Sequence, residues 1–348
     1  MTEPSAIVRR KDEHLDIALR QQAGGPSAFD ELVLEHCALP ELNLDEVDLS
    51  TGFLGWDFKL PFLISSMTGG PERGAAINAN LAAAAEQLRI PLAVGSQRVA
   101  LEGAAQAGID ARLREIAPSV PIWSNLGAAQ LVQGYGADEA RRAVEMIGAD
   151  ALIIHLNPLQ EAVQPAGDRD WRGVLPAIER LTRDLGRPVI VKEVGYGVSA
   201  AVARRLHDAG VAAIDVAGAG GTAWAAIEAE RIADRADRQV ADAFQGWGIP
   251  TPRALAEVRA ACPDLPLIGS GGVRDGVDAA KAIRLGADLV GQAGGVLAAA
   301  LVSADAVVQH FDIMARQLAV ACFSTGARHL ADLKAVRILP RALPLHDV

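Results

Sequence analysis

The chain has 348 residues, of which half are apolar and 22 % are charged, and its formal net charge at neutral pH is -10. This length suits one large domain with a substantial core, and no apolar run reaches the roughly 20 residues that a membrane-spanning helix needs. The acidic balance disfavours a general nucleic-acid binder, although it is compatible with a local basic pocket for an anionic substrate.

Cysteine usage and the N-terminal sequence favour a cytoplasmic protein. Cys37, Cys262 and Cys322 are scattered, odd in number and free of any CxxC spacing. Such thiols fit a reducing compartment and give no indication of a zinc site. The first residues also lack the apolar segment of an export signal.

Residues 1–60 are polar and are predicted to form an N-terminal arm. A helix is expected from about Arg9 to Arg20, where Arg10 and His14 share one face and Lys11 is adjacent to it. A solvated helix face is the simpler interpretation of these charges. The alternative is a basic cluster that closes over a phosphate.

From residue 61 onward, short apolar runs alternate with segments that have helical spacing. Glycines such as Gly148, Gly210 and Gly286 stand where a helix would turn into the next strand. Eight strand–helix units over roughly 250 residues predict a (β/α)8 TIM barrel, an α/β fold, covering residues 61–321, and they disfavour a doubly wound open sheet. The predicted strands are 62–67, 92–95, 121–126, 151–156, 188–194, 213–217, 266–269 and 289–291. The predicted helices are 73–89, 101–116, 137–148, 172–185, 199–209, 251–261 and 275–285.

Two segments extend this pattern. Residues 218–250, after the sixth strand, form an insertion with an extra helix at about 225–243, and an insertion there would lie over the active-site end as a lid or an oligomer contact. A helix from 296 to about 321 is expected to close the barrel. The tail, residues 322–348, is expected to pack on the barrel with another short helix.

Glycine-rich loops follow the seventh and eighth strands at 269–272 and 291–295. In barrels these two loops commonly bind phosphate through backbone N–H groups and a helix N-terminus, and glycine lets the phosphate approach closely. Either run alone could be a simple turn. Two runs at the ends of adjacent strands predict a phosphorylated ligand.

Other strand ends carry the groups that a flavin ring needs. Lys192 follows three apolar residues of a buried strand, and a buried ammonium requires an anionic or strongly accepting partner. A salt bridge to Glu193 is disfavoured because neighbouring strand residues point to opposite sides. A cation at this place would stabilise a reduced flavin anion. The other candidates for the ring are Met67, Thr68, Gly69, Ser96, Asn125 and Thr222.

A polar cluster follows the fourth strand, at 155–161. His155 could be an ordinary core histidine, but it shares the strand end with Asn157, Gln160 and Glu161. Glu161, as a single carboxylate, suits a Mg²⁺ ion held mainly by water and substrate phosphate oxygens. In the Ser96-Gln97-Arg98 stretch, Arg98 suits bidentate contact with a phosphate, with a surface ion pair as the alternative.

At these residues the chain resembles the type 2, FMN-dependent isopentenyl-diphosphate isomerases over nearly its whole length. The most specific stretches are Met67-Thr68-Gly69-Gly70, Gly95-Ser96-Gln97-Arg98, His155-Leu156-Asn157-Pro158-Leu159-Gln160-Glu161, Val191-Lys192-Glu193-Val194-Gly195 and Gly220-Gly221-Thr222-Ala223-Trp224. The family more often carries a bulkier segment where this chain has Gly291–Gly295.

The resemblance implies the conversion of isopentenyl diphosphate to dimethylallyl diphosphate, with reduced FMN as the proton carrier, Mg²⁺, and NADPH as the reductant. It implies no net redox change, a homotetramer or homo-octamer, and no nucleic-acid or membrane partner. The implied catalytic residues are His155, Gln160 and Lys192, with Glu161 on the metal. The implied substrate-binding residues are Arg10, Lys11, His14, Ser96, Gln97, Arg98, Asn157, Gln160 and Trp224. The implied FMN-binding residues are Met67, Thr68, Gly69, Ser96, Asn125, Lys192, Thr222, Gly271, Gly272, Ala293 and Gly294.

Three alternatives stay open. A flavin-dependent 2-hydroxy-acid oxidase or dehydrogenase would need a base histidine and an arginine clamp, and the loops after the fifth and sixth strands offer no such histidine. An inosinate-dehydrogenase-like enzyme would need a cysteine in the loop after the sixth strand, where none lies. A catalytically silent flavin-binding protein would have little use for Lys192, Glu161 and a basic arm together.

Overall fold

A computed structural model describes residue 17 and residues 27–66, 72–103 and 108–341 of the chain. In chain order the strands are β1 (Leu32–Leu34), β2 (Thr51–Phe53), β3 (Trp56–Phe58), β4 (Phe62–Ile64), β5 (Leu92–Ala93), β6 (Ile122–Gly127), β7 (Ala151–Leu156), β8 (Val189–Glu193), β9 (Ala213–Asp215), β10 (Leu267–Ser270), β11 (Leu289–Gln292) and β12 (Ile338–Pro340).

Helices fill most intervals between the barrel strands and follow the last of them. They are α1 (Glu72–Leu88), α2 (Arg98–Leu101), α3 (Arg112–Ile116), α4 (Ala128–Val132), α5 (Ala137–Met146), α6 (Pro158–Val163), α7 (Val174–Asp184), α8 (Ala200–Asp208), α9 (Trp224–Arg231), α10 (Arg235–Asp242), α11 (Thr251–Ala261), α12 (Gly276–Arg284), α13 (Gly294–Val302), α14 (Ala304–Ser324) and α15 (Leu330–Leu333). Short 3-10 helices cover Ala28–Glu31 and Leu44–Glu46. None of the described helices is long and apolar enough to cross a membrane.

Strands β4 to β11 form a closed barrel in which every neighbouring pair is parallel and the last strand, β11, returns to pair with the first, β4. The predicted (β/α)8 barrel is therefore confirmed, and each of its eight predicted strands is present. The glycine turns are confirmed too, because Gly148, Gly210 and Gly286 adopt positive φ angles of +58°, +82° and +114°.

The barrel interior is a packed core. Alternate residues of the strands, such as Leu63, Ile153 and Ile190, point inward and form one apolar cluster with Phe53 and Phe58. These two rings come from the β2–β3 hairpin, which is tied by a hydrogen bond from Thr51 Oγ1 to the carbonyl just before β11. The hairpin thus closes the N-terminal end of the barrel and leaves the C-terminal end for chemistry.

Several predicted helix boundaries are wrong. Among the described residues of the helix predicted at 101–116, only Leu101, the last residue of α2, and α3 are helical. The single helix predicted at 225–243 is α9 and α10, because Asp234 accepts the N–H groups of Ala236 and Asp237 and begins a new helix. The helix predicted at 296–321 is likewise divided at Ser303, whose hydroxyl caps α14.

The two ends of the chain meet on the outside of the barrel. β1, from the predicted N-terminal arm, pairs antiparallel with β12, from the tail. This pairing was not predicted, whereas the short helix of the tail is confirmed as α15. Of the helix predicted from about Arg9 to Arg20, Ile17 alone is described, and it is helical and buried.

Candidate active site

The inward alternation of the strands continues into polar residues at the C-terminal end of the barrel. Two residues after the core positions Leu63, Trp123, Ile153, Ile190, Ala213 and Ile268 come Ser65, Asn125, His155, Lys192, Asp215 and Ser270. All of these polar residues except His155 are buried. The interior is thus apolar at its base and strongly polar at its upper end, where barrel enzymes place their active sites.

Lys192 and Asp215 form the charged centre of this layer. They lie opposite each other in the register of β8 and β9. The Lys192 ammonium donates to the Glu193 carbonyl oxygen at 2.7 Å, and the Asp215 carboxylate accepts from the Ser270 hydroxyl at 2.7 Å. Burial lowers the pKa of Lys192, and the negative charge of Asp215 opposes that shift. Burial also raises the pKa of Asp215.

The Glu193 carboxylate binds backbone N–H groups and forms no ion pair with Lys192 among the described residues. One of its oxygens, Oε2, accepts the backbone N–H groups of Val194, Gly195 and Tyr196 at 2.6, 2.8 and 2.5 Å. Burial raises the pKa of Glu193 to about 7 in spite of these hydrogen bonds. Alternation along β8 thus separates the Glu193 side chain from that of Lys192.

Asn125 and His155 are joined across adjacent strands. The Asn125 amide donates to the Ser66 hydroxyl at 2.9 Å, so its carbonyl oxygen faces His155 Nδ1 at 2.8 Å. With the amide in this orientation, His155 Nδ1 carries a proton and donates it. The pair fixes the orientation of the imidazole ring at the site.

After β7, Asn157 is the N-cap residue of the short helix α6, and Gln160 and Glu161 lie on that helix. Asn157 Nδ2 donates to Glu161 Oε1 at 2.9 Å and to Gln160 Oε1 at 3.2 Å. The other Glu161 oxygen accepts the backbone N–H of Asp168 at 2.8 Å. Asp168 in turn accepts from Arg98 Nη1 at 3.3 Å, so the arginine and the carboxylate of α6 are coupled through one residue.

Gln97 lies inside the barrel wall, and its substrate-binding role stays a prediction. Its side chain is fully buried, donates to the Ala143 carbonyl oxygen at 2.8 Å and accepts from Ser124 and the Asn125 backbone N–H. Both ends of the amide are therefore engaged inside the barrel wall, where they hold β6 against α5. Arg98, one residue further, is about one-third exposed and reaches Glu102 and Asp168 at the mouth.

The glycine-rich loops pack backbone against backbone. Gly271 and Gly272 have φ angles of +95° and +72°, and a β-carbon on Gly272 would lie 2.6 Å from the backbone carbon of Gly220. Thr251 braces the arrangement by donating to the Gly271 carbonyl oxygen at 2.6 Å. Beside these loops α13 begins at Gly294, and its N-cap residue, Ala293, provides no side-chain cap. A bare backbone cradle next to a helix N-terminus suits a phosphate group.

A Gly272→Ala substitution is expected to destabilise the fold and loosen this cradle. The left-handed backbone costs a non-glycine residue roughly 1–2 kcal/mol, and the contact with Gly220 adds about 1–3 kcal/mol of overpacking. Gly246→Ala is the matched control, because Gly246 has a φ of +89° but no neighbour within 4 Å of an added β-carbon. The unfolding free energies from denaturant titration should separate the two variants; equal losses would contradict the packing argument.

The insertion after β9 covers the mouth of the barrel. Its helix α9 packs against α6 in a small apolar cluster that includes Val163, Tyr196 and Ala225, with Trp224 at its margin. Glu228 on α9 is fully buried and accepts from Gln160 Nε2 at 3.0 Å. The insertion thus fixes the orientation of a candidate catalytic side chain, beyond the predicted role of a lid.

Sequence reasoning missed three residues of the site. Asp215 could have been recognised from the sequence, because it is a carboxylate in an apolar strand next to the strand of Lys192. No sequence pattern identified Glu228 or Asp168, because the residues that they contact are distant in sequence. Several predicted residues lie outside the described residues, namely Arg10, Lys11, His14, Met67, Thr68 and Gly69.

The described residues fit a bound FMN and a single Mg²⁺. The glycine cradle matches a phosphate, and the buried Lys192 cation, the Asn125 amide and the half-buried Thr222 and Ser96 lie at neighbouring strand ends. In the described part of the chain no three His, Cys, Asp or Glu side chains cluster as metal ligands. A Mg²⁺ ion here would rest on Glu161, water and substrate oxygens.

Comparisons with known proteins agree with this geometry. The family model of FMN-dependent dehydrogenases matches residues 112–339. An isopentenyl-diphosphate delta-isomerase of Stutzerimonas stutzeri is 63 % identical over 337 residues, covering 96 % of this chain and 97 % of that protein. One of Synechocystis sp. is 48 % identical over 335 residues, covering 95 % and 96 %. Among solved structures, a lactate oxidase of Pediococcus acidilactici has a TM-score of 0.67 at 19 % identity, covering 94 % and 95 %, which shows a shared fold.

Proposed function

This chain belongs to the isopentenyl-diphosphate delta-isomerase family and contains an FMN-dependent dehydrogenase domain, and we propose that it interconverts isopentenyl and dimethylallyl diphosphates without net redox change. The proposal includes Mg²⁺ and a reductant such as NADPH that keeps the FMN reduced. The observation that carries it is the near full-length identity of 46–63 % to relatives of that name. The polar layer at the end of the barrel supports it.

The cofactor's contribution is chemical: reduced FMN supplies the group that gives and takes the proton as the double bond moves. The residues of the chain hold that group in place. Lys192 would supply a cation to the ring, and Asn125, Ser96 and Thr222 would hold its polar atoms; Met67, Thr68 and Gly69 stay predicted contributors. Gly271, Gly272, Ala293 and Gly294 bind the FMN phosphate through backbone N–H groups.

The diphosphate binds on the other side of the mouth. Arg98 reaches the substrate oxygens with its guanidinium, Asn157 and His155 donate hydrogen bonds, and Glu161 holds Mg²⁺ against the diphosphate. Glu228 orients Gln160 toward the reacting carbons, and Trp224 covers the apolar tail. The basic residues Arg10, Lys11 and His14 complete the charge balance around the diphosphate.

We also infer a homotetramer or homo-octamer in which residues 218–250 contribute to contacts between copies. A cytoplasmic location is consistent with the free cysteines Cys37, Cys262 and Cys322. Neither inference is needed for the chemistry of a single site.

An anaerobic assay in D₂O tests the activity. The purified protein is given FMN, excess NADPH, Mg²⁺ and isopentenyl diphosphate. We expect dimethylallyl diphosphate that contains solvent deuterium, with no stoichiometric loss of NADPH. NADPH consumption matched to product would instead indicate an oxidoreductase. A yellow protein that forms no product would leave the FMN site in place and refute the isomerase.

A further inference from the structure

Asp215 is a buried carboxyl group that the proposed function does not use. Its side chain is 1 % exposed. One carboxylate oxygen accepts from Ser270 at 2.7 Å and from the Ala217 backbone N–H at 3.2 Å. The other oxygen, Oδ2, accepts no hydrogen bond among the described residues, although the Ser65 hydroxyl lies near enough to lower the pKa of the Asp215 carboxyl. A buried, half-satisfied carboxylate is costly, so its presence in the site calls for a compensating role.

The charged neighbours of Lys192 leave Asp215 as its main counter-charge. The strands on either side of β8 place His155 and Asp215 opposite Lys192. His155 directs Nδ1 at Asn125, and the Glu193 carboxylate is held by three backbone N–H groups on the far side of β8. Of the negative charges acting on Lys192, that of Asp215 has the largest effect on its pKa.

We propose that Asp215 is a positioning residue for Lys192, an inference that rests on the FMN site of the proposed function. Its buried carboxylate holds Lys192 as an ammonium ion while the flavin ring is oxidised and uncharged. The cation is then already in place when the ring becomes negative. The opposing effects of burial and of Asp215 on the Lys192 pKa support this assignment. Without the Asp215 carboxylate, burial would lower the pKa of Lys192 further, with Glu193 as the remaining opposing charge, and would favour the neutral amine.

The protonation state of Lys192 sets how many protons are taken up when the bound FMN is reduced. In the wild-type holoenzyme, two electrons and one proton convert bound FMN to its reduced anion, and Lys192 is protonated before and after. In an Asp215→Asn variant, Lys192 starts neutral and takes up a second proton when the negative charge forms. A tenfold change in proton concentration shifts a two-electron potential by about 30 mV for each proton taken up.

The experiment measures the midpoint potential of bound FMN from about pH 6.5 to 8.5, without any prenyl substrate. We expect a slope of about 30 mV per pH unit in the wild type and a slope approaching about 60 mV in D215N. Ser270→Ala is the matched control: it removes the hydrogen bond to Asp215 but keeps its charge, so the wild-type slope should remain. The D215N K192M double variant should show a slope of about 30 mV, since neither the amine nor the carboxylate is left to take up a proton.

Equal slopes of midpoint potential against pH in wild type and D215N would overturn the proposal. A steeper slope in D215N that persists when Lys192 is also replaced by methionine would overturn it as well. Where D215N yields no folded holoenzyme, the wild type decides: a slope near 60 mV means a neutral Lys192 beside Asp215 and refutes the proposal, and a slope near 30 mV supports it. A protein that binds FMN but forms no dimethylallyl diphosphate fails the proposed function and leaves this inference standing. A protein that binds no FMN overturns both.

Discussion

Replacing Lys192 by methionine is expected to weaken the binding of reduced FMN by about 100-fold, or about 2.7 kcal/mol, while oxidised FMN loses much less. The methionine keeps most of the apolar stem of the side chain. It removes the cation that faces the ring and leaves Asp215 as an unpaired buried carboxylate, which is then favoured in its protonated form. The isomerase activity should fall at least as far. Dissociation constants for FMN, measured anaerobically in both redox states, provide the test.

A matched control exists elsewhere in the chain. Lys281 on α12 is a partly buried lysine whose ammonium, like that of Lys192, donates to a backbone carbonyl oxygen, here that of Phe29 at 2.9 Å. Lys281→Met should leave the ratio of the two FMN dissociation constants unchanged. If Lys192→Met weakened both redox forms equally, the lysine would be a structural residue and its assignment to the flavin edge would be wrong.

Glu161→Gln is expected to lower kcat/KM by at least about 100-fold, close to 2.7 kcal/mol of transition-state stabilisation, with FMN content unchanged. Glutamine keeps the size of the side chain and an acceptor for Asn157, but it loses the negative charge that a Mg²⁺ ion needs. The measurement is turnover as a function of Mg²⁺ concentration, together with the flavin absorbance of the purified variant.

Glu257→Gln serves as the control, because Glu257 pairs with Arg253 on the surface of α11, on an exposed helix face. It should behave like the wild type at every Mg²⁺ concentration. Wild-type turnover of Glu161→Gln at limiting Mg²⁺ would remove Glu161 from the metal site. Loss of FMN from this variant would instead indicate that the helix α6 had been disturbed.

The fold could be predicted from the sequence because its signals are local. Each barrel strand is a short apolar run bounded by turn residues, and the strand Ala151–Leu156 was placed to the residue. The errors lie where helices meet. Ser303 and Asp234 cap new helices inside segments whose apolar spacing continues across the break, so periodicity alone joins them. The β1–β12 pairing joins residues about 300 positions apart, and no local pattern encodes it.

The functional residues of the site could be predicted where they follow one another at the end of a single strand. The sequence identified Lys192 as a buried cation and the residues around Glu161 as a polar cluster, since both interrupt apolar strands or follow them directly. It did not indicate that the Gln97 side chain turns toward Ala143, because the direction of a side chain after a strand depends on the helix that packs against it. The links from Gln160 to Glu228 and from Arg98 to Asp168 cross 68 and 70 residues.

The sequence by itself therefore determined the barrel, the strand ends that carry function and, through resemblance, the family. These features follow from hydrophobic periodicity and from side chains whose position on a strand sets their direction. The tertiary structure decided which charges face one another. The parallel pairing of β8 with β9 places Lys192 opposite Asp215 in the low-dielectric interior, while the buried carboxylate of Glu193, the adjacent residue, accepts backbone N–H groups on the other side of β8. Which carboxylate lies opposite Lys192 depends on the register between two strands, and the sequence of one strand does not specify that register.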